Sequence, residues 1–202
     1  MWPMNSVLIG TTNRGKVADF KLLFKKQDVQ VRSLLDLPET IDVEETGNTF
    51  AENAILKAES ISRRIGEVVI ADDSGLVVDA LNGRPGVYSA RYAGEEKNDE
   101  ANLRKVLEEM KCIPWEKRTA RFVCVLAVAV PGRNTHIFKG QCKGYIAEKP
   151  SGDHGFGYDP IFYLPEKGRT MSELNPEEKN SVSHRRKAME QLEKEWANIF
   201  RF

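Results

Sequence analysis

The stretch RFVCVLAVAV-PGRN-THIFKGQCKGYI, residues 121–146, decides the class of fold. Arg121 to Val130 is a long run of strand-forming residues, Pro131-Gly132-Arg133-Asn134 is a turn, and His136 to Ile146 runs back. Two such runs around a short turn read as a hairpin, so part of the sheet is antiparallel. Upstream the pattern changes. Val7-Leu8-Ile9 is a short apolar run ending in Gly10-Thr11-Thr12-Asn13-Arg14-Gly15-Lys16, after which Val17, Phe20 and Phe24 recur at helical spacing. That order is strand, polar turn, helix.

A second short run, Val29 to Leu35, precedes an acidic loop from Glu39 to Thr46. Thr49-Phe50-Ala51-Glu52 fits a capping box, in which the hydroxyl accepts from the early helix and Glu reaches back. The helix it opens carries Ala54, Ala58, Ile61 and Ile65 on one face and is predicted to stop at Gly66. Val68-Val69-Ile70-Ala71 reads as a buried strand that ends in Asp72-Asp73-Ser74-Gly75. Leu103, Val106, Leu107 and Met110 mark an amphipathic helix, and a last one carries Ala188, Leu192, Trp196 and Ile199. Ser151 to Tyr158 holds three glycines, the mark of a shaped loop. The succession predicts an α/β fold with a mixed sheet and flanking helices. No repeat, linker or low-complexity tract interrupts it, so residues 1–202 are read as one domain, long enough to bury about 70% of its unfolded surface.

Composition narrows the function. Hydrophobic residues make up 41% and charged residues 30%, ordinary values for a globular protein. Lys plus Arg number 30 and so do Asp plus Glu, so net charge predicts no nucleic-acid partner. Cys112, Cys124 and Cys142 are odd in number without C-x-x-C spacing, which reads as reduced thiols. His136, His154 and His184 show no zinc spacing. No apolar run is long enough for a membrane span, and Met1 to Asn5 does not open a signal peptide, so a cytoplasmic location is expected.

Four segments carry candidate chemistry. Gly10 to Lys16 satisfies most of the phosphate-cradling G-x-x-x-x-G-K-[S/T] pattern, but Val17 stands where the metal-binding hydroxyl is required. What survives is a polar turn with a lysine, opening a helix whose N–H groups favour anions. It is equally a plain strand-to-helix turn capped by Thr or Asn. Asp72-Asp73 closes an apolar strand, where α/β sheets gather ligands, and such a pair needs a cation or hydrogen bonds to offset repulsion. Mg²⁺ takes oxygen ligands and bridges carboxylates to phosphates, and Glu44-Glu45 offers more of them. Ser181-Val182-Ser183-His184-Arg185-Arg186, with Lys179 nearby, puts basic groups where a helix should begin and Ser183 should cap it. Cations there oppose the macrodipole unless an anion sits among them. Phe156-Gly157-Tyr158-Asp159-Pro160 surrounds a glycine with rings and adds a carboxylate, the parts needed to stack on a base and accept from its edge. Each segment also has an ordinary structural reading. Together they are the parts of a Mg²⁺-dependent nucleotide enzyme, without fixing which bond is cut.

The chain resembles the inosine triphosphate pyrophosphatase-like family of non-canonical purine nucleoside triphosphate pyrophosphatases. The resemblance rests on Thr11-x-Asn13-x-x-Lys16, Glu45-Thr46-Gly47, Phe50-x-Glu52-Asn53-Ala54-x-x-Lys57-Ala58, Ala71-Asp72-Asp73-Ser74-Gly75-Leu76, Gly83-x-Pro85-Gly86-Val87-Tyr88-Ser89-Ala90-Arg91, Phe156-Gly157-Tyr158-Asp159-Pro160 and Ser183-His184-Arg185. These run in family order over almost the whole chain; Gly10 departs from the Ala that the family often has.

The resemblance implies an elongated mixed α/β fold with a twisted sheet, two lobes around a central cleft, and a homodimer. It implies Mg²⁺-dependent hydrolysis of ITP, dITP and XTP to the monophosphate and pyrophosphate. Asp73 would be the catalytic carboxylate and, with Glu45, a metal ligand. Thr11, Thr12, Asn13, Arg14, Gly15, Lys16, Ser74, Lys179, His184 and Arg185 would contact the nucleotide. Phe156 would stack on the base, with Gly157, Tyr158 and Asp159 completing its pocket. A pyrophosphatase for canonical nucleotides is the nearest alternative. A nucleotide- or RNA-binding module without turnover is a more distant one, because it leaves Asp72-Asp73 without a purpose.

Overall fold

A computed structural model describes residues 6–25, 29–39 and 41–199. Met1 to Asn5, read above for a signal peptide, and Thr40 in the acidic loop lie outside the described residues. The elements run β1 (Ser6–Ile9), α1 (Arg14–Phe24), β2 (Gln30–Ser33), α2 (Phe50–Ile65), β3 (Val69–Val78), α3 (Asp99–Glu109), β4 (Thr119–Ala129), β5 (His136–Ile146), β6 (Phe162–Leu164), β7 (Arg169–Thr170), α4 (Pro176–Val182) and α5 (His184–Ile199). The strands form one seven-stranded sheet in the order β2-β1-β3-β4-β5-β6-β7. β1 pairs parallel with β2 and β3, whereas β6 pairs antiparallel with β5 and β7. The mixed sheet expected from the sequence is therefore present.

By their internal contacts, the described residues within 1–73, 124–140 and 185–202 form one compact unit, and residues 74–123 and 141–184 a second. In the first unit, strand alternation sends successive side chains to opposite faces. Val7, Ile9 and Ile70 pack with Phe20, Leu23 and Phe24 of α1 and with Ala188, Met189 and Leu192 of α5. Leu8 and Val69 face the other way, onto Ile61 of α2. Both faces are thus covered by helices, which is why the central strand reads as unbroken apolar residues rather than an alternation. Phe24 and Trp196 meet edge to face at 5.7 Å, tying α1 to α5. The second unit has its own core, in which Leu76, Val106, Met110, Phe122, Ile146, Ile161 and Phe162 are buried.

Local signals set most helix ends. Thr49 accepts from the Glu52 amide, and Glu52 accepts from the Thr49 amide, so α2 begins with the predicted box. It ends at Gly66, whose φ of 70° is a left-handed conformation that costs a residue with a Cβ. Asn13 caps α1 by accepting from the Lys16 amide at 3.0 Å. Ser183 is extended and separates α4 from α5.

Two sequence expectations change. The strand read as Val68–Ala71 runs on to Val78, so Asp72-Asp73 lies inside β3 and not at its end. Asp and Gly are depleted in strands, which suggested a stop; long-range charge partners described below offset that preference. A helix also precedes the last one. Asn175 caps α4 in a capping box with Glu178, with Pro176 in its first turn. Asn-Pro-x-Glu is itself a helix-start signature, hidden by the short length of the helix.

Candidate active site

In the first unit, β1 pairs with β3 only through Leu8 with Val69 and Ile9 with Ile70. Ala71-Asp72-Asp73 therefore continues past the carboxyl end of β1, where the chain turns through Gly10–Asn13 into α1. The carboxylates do sit at a strand end, but it is that of the neighbouring parallel strand.

Strand alternation decides what each aspartate meets. Asp72 shares the face of α1 and α5. Lys16 Nζ lies 2.9 Å from its Oδ2, and Arg185 Nε lies 3.5 Å away. The same guanidinium pairs with Asp19 of α1 at 2.9 Å. Asp73 shares the face of α2, where Asn53 Nδ2 donates to its Oδ2 at 3.1 Å. Lys57 Nζ stands 3.9 Å from Asp73 Oδ1, bonds Glu45 Oε1 at 2.8 Å and donates to the Asp72 carbonyl at 2.6 Å. Opposite faces and the cations on each therefore relieve the repulsion between adjacent carboxylates. Glu45 is the acid whose side chain bonds the Lys57 ammonium beside Asp73, while the charge of Asp72 also acts on Lys57 and that of Lys16 on Asp73.

Burial pushes the Asp73 carboxyl up to about 6, with Glu45 adding to the rise while Lys57, Lys16 and the Asn53 hydrogen bond oppose it. Burial acts to lower Lys57, but Asp72, Asp73 and Glu45 outweigh it and hold the ammonium above its ordinary value. A carboxylate raised this far destabilises the fold when ionised. The folded protein binds the proton more tightly than the unfolded chain, so this stability is present below the ordinary carboxylate range and lost as pH rises through about 6. The loss is on the order of 2–3 kcal/mol. Asp73→Asn keeps an acceptor for Asn53 and removes the charge. Calorimetry of the metal-free protein should show its Tm raised by roughly 5 °C at pH 8 and little changed near pH 4. Equal shifts at both pH values would show that charge is not the cause.

The remaining first-unit candidates form the turn and first helical turn. Thr11 Oγ1 accepts from the Asn13 amide at 3.2 Å, Thr12, Asn13 and Arg14 are exposed, and Gly15 is half-buried. Glu44 is exposed.

In the second unit, Asp159 Oδ2 accepts from the Phe156 amide at 2.9 Å and from Lys179 Nζ at 2.8 Å. Lys179 also lies over the Phe156 ring, 4.6 Å from its centroid. Asp159 and Lys179 are both buried. Gly155 has a φ of 84°, and a Cβ there would collide with the Asp159 carboxylate. Tyr158 is buried and donates its hydroxyl to the Ser89 carbonyl at 2.7 Å. Ser74, half-buried, follows Asp73 along β3. The His184 ring stacks on Phe122 at 5.0 Å.

The predicted residues thus gather in two groups. Lys16, Glu45, Asp73 and Arg185 belong to the first unit; Phe156 to Asp159, Lys179 and His184 belong to the second. The adjacent residues His184 and Arg185 fall on either side of that division. The anions expected at the basic start of α5 are supplied in part by the protein itself, as Asp19 and Asp72 for Arg185 and as Glu190 and Glu193 for Arg186. Sequence reasoning gave no role to Asn53, Lys57 or Asp19. Asn53 and Lys57 are four apart on the α2 face that also buries Ala54 and Ala58, and a polar pair on an inner face was the available signal.

Among the described residues, no three His, Cys, Asp or Glu side chains converge as a ready metal cage. Glu45 and Asp73 nevertheless converge on one cationic centre, the Lys57 ammonium. Two hard oxygen donors are what Mg²⁺ takes from protein when phosphates and water complete its shell. The donor set fits that ion. No described helix is long and apolar enough to cross a membrane.

The sequence profile of the Ham1 family matches residues 7–195. The chain is 62% identical over 196 residues to the dITP/XTP pyrophosphatase of Geobacillus kaustophilus, covering 97% of this chain and 96% of that protein. It is 57% identical over 192 residues to the dITP/XTP pyrophosphatase of Oceanobacillus iheyensis, with 95% and 98% covered. Its structure is similar to that of the Ham1 protein of Staphylococcus aureus, with a TM-score of 0.85, 47% identity, and coverage of 96% of this chain and 99% of that one. The family resemblance and the mixed α/β class of the fold read from the sequence are both borne out.

Proposed function

The chain belongs to the Ham1 family, and from that premise we propose that it hydrolyses the non-canonical purine nucleotides dITP, XTP and ITP to the monophosphate and pyrophosphate. The observation that carries the reading is Asp73, a buried carboxylate that accepts a hydrogen bond from Asn53 and stands 3.9 Å from the Lys57 ammonium. A carboxylate fixed in this way can orient a water and accept its proton. Asp73 is the catalytic base in this reading. It orients one water at the α-phosphorus and takes its proton, while Lys16, Lys57 and the first-turn amides of α1 offset phosphate charge.

Glu45 and Asp73 would hold Mg²⁺, which when bound neutralises triphosphate charge and stabilises the departing pyrophosphate. Thr11 to Lys16, Ser74 and Arg185 serve the phosphate and sugar end. Phe156 is the stacking platform for the base, within a loop shaped by Gly157, Tyr158 and Asp159. Hypoxanthine and xanthine present a 6-oxo acceptor beside an N1–H donor, and adenine reverses both. A site that offers a donor to the 6-oxo group and an acceptor to N1–H complements the first pattern and matches the second poorly, and Lys179 and Asp159 supply one of each beside the Phe156 ring. His184 is retained as a nucleotide contact. The reading extends to a cytoplasmic homodimer acting as one functional domain over residues 1–202, without nucleic-acid or membrane partners; the balance of charge supports the last point.

Chromatography of the products provides the test. With dITP the protein should yield dIMP and pyrophosphate without dIDP, and chelation by EDTA should abolish turnover until Mg²⁺ is restored. Accumulation of dIDP and orthophosphate would move the cleavage to another bond. Equal kcat/KM for ATP, GTP and dITP would remove the substrate class, and full activity in EDTA would remove the metal.

A further inference from the structure

The Phe156 loop is held on one side by Asp159, but its central residue is gripped from elsewhere. The amide of Gly157 donates to Asp99 Oδ2 at 2.8 Å, across 58 residues of sequence. Asp99 is the first residue of α3, exposed, and none of the motifs carrying chemistry contains it. Gly157 adopts a φ of 62°, so the loop passes through a left-handed conformation at the point where Asp99 holds it.

The base of α3 is itself fixed. Asn102 donates to the Ala90 carbonyl at 3.0 Å and accepts from the Ala93 amide at 2.6 Å. That locks the helix start to the segment carrying Ser89, whose hydroxyl accepts from the Leu76 amide of β3 and whose carbonyl accepts from Tyr158. Gly157 and Tyr158 are thus both anchored to one rigid frame, one through its amide and the other through its hydroxyl. Phe156 directly precedes that anchorage in the chain and is itself held by the Asp159–Lys179 pair, its amide donating to Asp159 and its ring lying under Lys179.

We propose that Asp99 is a positioning residue, fixing the Gly157 amide so that the adjacent Phe156 ring is presented to a purine. The inference rests on the reading of Phe156 as the base platform. A loop that must order itself on binding loses affinity, whereas a loop already in place does not. Asp99 acts before the chemistry, so its loss raises KM and leaves kcat nearly alone.

The test compares Asp99→Ala, Asp99→Asn and, as a control for charge at the same helix end, Glu100→Ala, whose carboxylate pairs with Arg104 within its own helix. Hydrogen exchange at the Gly157 amide, read by NMR without substrate, should accelerate by about tenfold or more in Asp99→Ala. KM for dITP should rise about tenfold, the low end of what a base–aromatic stack contributes, with kcat within about twofold. Asp99→Asn keeps an acceptor oxygen and should restore most of both, and Glu100→Ala should change neither. Unchanged Gly157 exchange in Asp99→Ala would overturn the proposal, as would Asp99→Asn being as impaired as Asp99→Ala. Phe156→Ala separates the two layers. If it raises KM while Asp99→Ala does not, the positioning role alone fails. If neither raises KM although exchange accelerates, the base-platform reading fails and takes the kinetic role of Asp99 with it.

Discussion

Asp73→Asn should lower kcat for dITP by ~10²-fold or more, with a much smaller change in KM, because it removes a proton acceptor while leaving the side chain nearly isosteric. The Asn53 hydrogen bond to position 73 has an acceptor in either residue, so the local geometry is preserved. What disappears is the charge, and with it the ability to take a proton from water and to share a cation with Glu45. The same variant is expected to be the more stable protein at pH 8, so lost activity cannot be ascribed to unfolding. Such opposition between stability and turnover is characteristic of a group buried for its chemistry. Single-turnover measurement at saturating Mg²⁺ is the check. A near-normal rate there would exclude Asp73 as the base.

Lys57→Met should be the most destabilising of the single substitutions considered. Its ammonium bonds Glu45 and the Asp72 carbonyl and lies 3.9 Å from Asp73, and its side chain is 11% exposed. Methionine fills a similar volume but leaves Asp73 beside Glu45 with no cation between them. Removing one partner of a buried charge set costs about 3–5 kcal/mol, most of it from the charges left behind. Urea denaturation at pH 8 should show this loss, and activity should fall with it because Asp73 becomes still harder to ionise. Combining Lys57→Met with Asp73→Asn should recover a good part of the stability, since the stranded carboxylate is gone, while activity stays low. If the two losses simply add, the residues are not coupled and the cluster is not an electrostatic unit.

Local chemistry in the sequence determined a good deal. The capping box of Thr49 and Glu52, the Gly66 stop, the strand-turn-helix of Val7 to Phe24 and the hairpin arms around Pro131-Gly132 are written in neighbouring residues. They depend on backbone conformations set within a few positions. The motifs that carry the family resemblance were legible for the same reason, as was the grouping of Phe156 with Asp159. Tertiary structure alone decided the rest, because it concerns charges brought together from distant parts of the chain. Asp72-Asp73 reads locally as the end of a strand, and only Lys16, Lys57, Asn53 and Arg185 make it affordable to continue β3 through two carboxylates. Which acid side chain would bond the Lys57 ammonium beside Asp73 was not legible in the sequence. The alternation of a strand sends Asp72 to one face and Asp73 to the other, and α2 carries Lys57 to the face that Glu45 also reaches. The hold of Asp99 on Gly157 has no trace in any short motif, since a carboxylate at a helix start is commonplace until the fold places an amide against it.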